Sequence, residues 1–137
     1  MKSFISFSVI VIWLFFFPLQ WVANQVNHNR MATVDDIVYT YAQQARSEGM
    51  FTTDNIDSMV QKISVETGVP VAEIIVSVDS GMKYRFNDFR EREMISYSIS
   101  IPVDKIIAMH QILGISDADN EMLYVVDGQV PSEVLAP

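Results

Sequence analysis

Residues 4–26 read FISFSVIVIWLFFFPLQWVANQV, and none of these side chains is charged. Nearly every residue from Phe4 to Val22 is apolar, and the run is close to the ~20 residues that carry a helix across a bilayer. Trp21 stands at its far end, where an aromatic ring suits a membrane interface. Pro18 can kink a helix in lipid without ending it. Lys2 and the amino terminus are the only charges ahead of the run, and Arg30, Asp35 and Asp36 follow it. That small bias places the N-terminus inside and the remainder outside. A removed signal peptide needs small residues at −3 and −1 of its cut. With Ala23 at −1, Trp21 falls at −3, so the segment is expected to be retained.

Helical spacing continues past the apolar run. No Gly or Pro stands between Leu19 and Gly49. Val26, Met31, Val34, Val38, Tyr41 and Ala45 form a stripe at i, i+3/i+4 spacing. Gly49 then closes YAQQARSEG as a helix C-cap. The pattern predicts one helix from about Ser3 to about Glu48, roughly 65–70 Å long at 1.5 Å per residue. The chain thus divides into a transmembrane segment, 1–23, an extension of the same helix, 24–49, and a small extracytoplasmic α+β domain, 50–137.

Composition limits what that domain can do. The chain has 137 residues, so about 110 remain after the apolar run, enough for one small domain. It has no cysteine, which removes disulfides, thiolate metal sites and a cysteine nucleophile. Beyond residue 24 eight bases face seventeen acids, a balance of −9. An acidic surface repels phosphate backbones, so nucleic acid is not an expected partner.

Within 50–137, TTDNIDSMVQKISVETGVP reads as a second helix. Thr53 or Asp54 is its expected cap, Ile56, Met59, Val60 and Ile63 its buried face, and Gly68 with Pro70 its stop. EIIVSV follows as a strand, with Ile74, Val76 and Val78 alternating. In MISYSISIP, Ile95, Tyr97, Ile99 and Ile101 face one way and Ser96, Ser98 and Ser100 the other, which predicts a half-buried strand. DKIIAMHQILG is expected to form a short helix capped by Asp104. MLYVV is expected as a third strand, with a turn at Asp127-Gly128. The predicted class is α+β: a long N-terminal helix, transmembrane then amphipathic, a second helix, and a small, mainly antiparallel sheet of about three strands.

Little in the chain suggests chemistry. His28 and His110 lie far apart, without an acid or nucleophile at a telling spacing. The acids of SDADNE, residues 116–121, lack the glycine and terminal bidentate glutamate of a calcium loop and read as a solvated turn. No phosphate loop, nucleophile elbow or zinc-protease motif is present. No enzyme, cofactor or metal is expected. The one unusual cluster is KYRFNDFRERE, residues 83–93. Lys83, Arg85, Arg90 and Arg92 interleave there with Tyr84, Phe86 and Phe89. It reads either as a charged connection satisfied by Asp88, Glu91 and Glu93, or as a docking loop for an acidic surface on another copy.

The order of parts resembles TadE-like pseudopilins of tight-adherence pili, within the type IV pilus family. The hydrophobic helix runs on into an A-x-x-A-R-like segment, Ala42–Gly49, and the alternating strand ends in Ser-x-Pro, Ser100–Pro102. The similarity covers most of the chain. It implies a single-pass membrane protein with its domain outside the cytoplasm, or a surface filament. The implied partners are copies of itself, other pilin-like subunits, pilus or secretion assembly proteins, and the membrane. It assigns assembly to the helix face bearing Phe4, Val9, Ile10, Ile12, Trp13, Phe16, Phe17 and Trp21. Two points depart from type IV prepilins: only Ser3 or Ser6 could be the small residue before the cut, and the stretch holds no glutamate. An anchored module that never polymerises, and a secreted domain lacking residues 1 to about 23, are the competing readings. An Asp at Ile10 or Phe16 is expected to block insertion or assembly while residues 50–137 stay folded.

Overall fold

The computed structural model describes residues 2–86 and 91–137. Helix α1 spans Lys2–Glu48 and α2 spans Thr53–Thr67. A 3-10 turn at Val71–Glu73 leads into β1, Ile75–Val78, followed by β2, Met94–Asp104, and β3, Glu121–Pro131. The strands form one antiparallel sheet in the order β1-β2-β3. The β1–β2 register pairs Ile75 with Ser100 and Val78 with Tyr97. The expected α+β class, with its long first helix, second helix and small three-stranded sheet, is what forms.

Contacts divide the chain into two units. One is Arg30–Pro102 with Leu123–Pro137, and the other is Met1–Asn29 with Val103–Met122. The first unit holds the sheet-backed core. Its α1 residues bury Val34, Ile37, Val38, Ala42 and Ala45, a stripe that a 3.6-residue period puts on one side of the helix. Phe51 at the start of α2's approach, Met59 and Ile63 from α2, Ile95, Ile99 and Ile101 from β2, and Val130 from β3 complete it. Ala42, Ala45, Phe51, Ile95 and Val130 pack as one cluster, with Tyr97 edge-on to Phe51 at 6.0 Å between ring centroids. Much of this core comes from α1. Residues 50–137 therefore do not close a core of their own, and the fragment expected to stand alone from sequence lacks one wall.

Local signals explain the element ends. Gly49 ends α1 with φ 83°, and its N–H bonds to Ala45 O at 2.7 Å. A Cβ there would come within 2.8 Å of the Lys83 carbonyl oxygen and the Met82 sulfur, so only glycine fits. For α2 the cap is Thr52, one residue before the expected position; its hydroxyl accepts from Asn55 N–H. Met59 and Ile63 are fully buried in α2, while Ile56 and Val60 are half-buried.

Two expectations fail. Asp104 ends β2, and residues 107–114 form a bend and turns, with no helix. Lys105 and Met109 take left-handed backbone angles, φ 55° and 56°, which an α-helix does not contain. The amides of a would-be first turn are claimed elsewhere: Ile106 N–H by Asn120 O, Ile107 N–H by the Asn120 side chain, and Ala108 N–H by Gln20. A short helix with a costly nucleus does not compete with those bonds. Asp127-Gly128 is the second case: β3 runs through it to Pro131 with no turn. A Cβ on Gly128 would lie 2.5 Å from the Tyr97 hydroxyl and 2.8 Å from the ring carbon bearing it. The glycine makes room for a cross-strand aromatic ring on the strand backbone.

Candidate functional site

The apolar half of α1 is the largest candidate surface. Among the described residues α1 is the one helix long and apolar enough to cross a bilayer, and none of its most apolar 18-residue window is buried. Of the residues assigned to assembly, Phe4, Val9, Ile10, Ile12, Trp13, Phe17 and Trp21 are all exposed, and Phe16 is half-buried. Trp13, Phe16 and Phe17 form one aromatic patch, with ring centroids 5.5–6.0 Å apart. Such rings bury a large area in whatever covers them. Along this stretch Ser8 Oγ–H donates to Phe4 O at 2.9 Å, which satisfies a hydroxyl within the helix.

The described parts of the 83–93 segment, 83–86 and 91–93, are held on both sides by backbone. Arg85 bridges Arg92 in antiparallel sense and Leu135 in parallel sense. Arg85 N–H donates to Val134 O at 2.6 Å, and Ala136 N–H donates to Arg85 O at 3.1 Å. The buried Ser132 donates its hydroxyl to Lys83 O at 2.7 Å. Lys83 is paired with Asp79 at 2.9 Å. The shared bond, with a further bond from Gly81 N–H, holds the Asp79 carboxyl below the ordinary carboxylate range, and the same pair raises Lys83. Glu93 accepts from Tyr84 N–H at 2.8 Å. Arg92 is half-buried, and its Nε is enclosed with no hydrogen-bond partner among the described residues. A shallow depression beside it is lined by Phe86, Glu91, Arg92 and Glu93. Arg90, with Asp88 and Phe89, lies outside the described residues. The structure thus brings Arg85 and Arg92 together across a bridge and turns Lys83 toward its own acid.

No protein family, curated protein or solved structure matches the chain.

Several polar residues matter more than their sequence context suggested. In Ala42–Gly49 both alanines are core residues, while Arg46 forms an ion pair with Glu133, whose N–H donates to Arg46 O at 3.0 Å. That segment fastens the C-terminal tail to α1. In the other unit Gln20, Asn27 and Asn120 fix the backbone of 104–108. His110 Nε2 lies 2.6 Å from Asp117 Oδ1, an acid seven residues on that spacing alone did not single out. Ser116 and Asp119 close the solvated turn read from SDADNE, with Ser116 Oγ–H donating to Asp119 at 2.6 Å. Among the described residues no three His, Asp or Glu side chains gather as metal ligands.

Proposed function

We propose that the chain is a pilin-like structural subunit, or a minor pseudopilin, of a tight-adherence or type IV-like pilus or secretion system. It assembles through the face of α1 that carries Phe4, Val9, Ile10, Ile12, Trp13, Phe16, Phe17 and Trp21, with the 83–92 segment as a second contact. The observation that carries this reading is that no residue in the most apolar window of α1 is buried, while the other half of the helix is packed into a folded unit. An apolar helix leaves lipid only when other apolar surfaces replace it, and aromatic-rich helices supply dispersion contacts for that exchange. Repetition of a heterologous, non-closing contact then builds a filament. The folded part is placed outside the cytoplasm, and the partners are copies of the chain, related subunits and assembly proteins.

One feature favours a second reading. The first turn of α1 contains no acid, and no acid appears before Asp35. Without a carboxylate to guide subunit docking, the chain would act as a single-pass anchored assembly or binding module. A benzophenone amino acid at Phe16 separates the two. The pilin reading expects adducts to protein, including steps of the chain's own 15.6 kDa. Adducts to lipid alone would replace it with the anchored module.

A further inference from the structure

We propose that residues 105–115 form a second membrane contact, lying in the outer interface of the bilayer with Ile112 and Leu113 in the acyl region beside α1. This rests on the reading that residues 3–22 occupy lipid before any assembly.

The geometry is internal to one unit, Met1–Asn29 with Val103–Met122. Asn27 Nδ2–H donates to Asp104 O at 3.2 Å. Two turns nearer the apolar end, Gln20 holds the segment twice: Nε2–H donates to Ile106 O at 2.7 Å, and Oε1 accepts from Ala108 N–H at 2.8 Å. From 104 to 108 the backbone therefore runs along the helix toward the apolar stretch. It arrives two residues short of Val22, about 3 Å inside the end of the apolar run. Beyond that clamp the exposed large apolar side chains are Ile112, 66 %, and Leu113, 57 %, next to an exposed Gln111.

Irregular backbone enters an apolar environment only when its polar groups are satisfied. Here seven amides, those of 106–108 and 112–115, are satisfied. The amides of 106, 107 and 108 bond to Asn120 and Gln20, and Asn120 Nδ2–H returns a bond to Ile107 O at 3.1 Å. The amides of 112, 113 and 114 bond to the carbonyls of 109, 110 and 111, and Ile115 N–H bonds to His110 O at 2.9 Å. Asn120 is itself 2 % exposed, so this is a built clamp. Residues 103–122 carry Lys105 against Asp104, Asp117, Asp119 and Glu121. Attraction to anionic headgroups therefore does not drive the contact, and the partner is the apolar boundary of a zwitterionic bilayer.

The absence of cysteine makes the test direct. Ile12→Cys and Leu113→Cys are each labelled with a nitroxide in the full chain, reconstituted in phosphatidylcholine vesicles. Accessibility to oxygen and to a water-soluble nickel chelate is read against headgroup- and acyl-labelled lipids. The expected result is oxygen-dominated access at Ile12 and, more shallowly, at Leu113. Adding Gln20→Leu, which keeps the helix apolar, is expected to return the Leu113 label to nickel-dominated access. A lipid-embedded Ile12 label with an aqueous Leu113 label overturns this inference and leaves the membrane reading standing. A Leu113 label shielded from both reagents overturns it in favour of a second copy of the chain. An aqueous Ile12 label overturns both readings.

Discussion

The two halves of α1 obey the same helical geometry and have opposite fates. Residues 34–45 place Val34, Ile37, Val38, Ala42 and Ala45 on one side and bury them. Residues 3–22 are apolar on every side, yet no residue of the most apolar window is buried. A helix that is apolar all round needs a cover on all sides. The chain's own fold gives the second half its partner and leaves the first half to lipid or to other helices. Hydrophobicity alone thus does not locate the core of this protein; the periodicity of the hydrophobicity does.

The sharpest way to break the contrast is a charge. Phe16→Asp or Ile10→Asp is expected to disfavour the membrane or assembled state by about 2.5–3.5 kcal/mol, roughly 100-fold. Partition between membrane and soluble fractions would show it, with the thermal transition of the folded unit unmoved. A shift of that transition as large as one from a core substitution would mean that both halves belong to one core.

Truncation sharpens the same contrast at a smaller scale. Ile99→Ala, at a position with no exposure, is expected to cost about 2–5 kcal/mol in chemical denaturation of the detergent-solubilised chain. Ile12→Ala, at 47 % exposure, is expected to leave that midpoint in place. Equal effects would contradict the division. Gly128→Ala follows, at about 1–3 kcal/mol, because a methyl group must displace the Tyr97 ring. Its cost should shrink in a Tyr97→Ala background, and full additivity would show that the ring is not the obstacle.

The smallest expected effect is a pH dependence. Tyr124 O–H donates to both carboxylate oxygens of Asp35, at 2.9 and 3.0 Å. Burial first, then the bond to Asp35, raise the hydroxyl above its ordinary 10.0. A raised folded-state value means that the contribution is complete below about pH 10 and is lost as pH rises through the folded value. Tyr124→Phe is expected to flatten this alkaline limb of a stability–pH curve. An unchanged limb would assign it to another tyrosine, such as Tyr97.

Much of the fold was legible because its signals are local. The stripe of α1, the glycine at 49 and the Ile/Ser alternation of β2 each depend on a few neighbouring residues. The failures share a different cause. The amides of 106–108 are taken by Gln20 and Asn120, and the space at Gly128 is filled by Tyr97, so residues distant in sequence decide both places. Thr52 for Thr53 is a milder case, in which adjacent threonines offer the same capping chemistry. The candidate surface was legible for the same reason as the helix, since an uninterrupted apolar run needs no tertiary context. The carboxamide clamp was not, because Gln20, Asn27 and Asn120 look like ordinary polar residues until the backbone they bind is placed.

The most direct test is to shear cells carrying the native protein and blot the sheared material, the membranes and the soluble fraction. The account predicts full-length protein, or protein trimmed only near Ser3 or Ser6, in high-molecular-weight sheared fibres. Soluble protein that has lost residues 1 to about 23 would contradict it, because the apolar half of α1 would then have no part in the mature molecule.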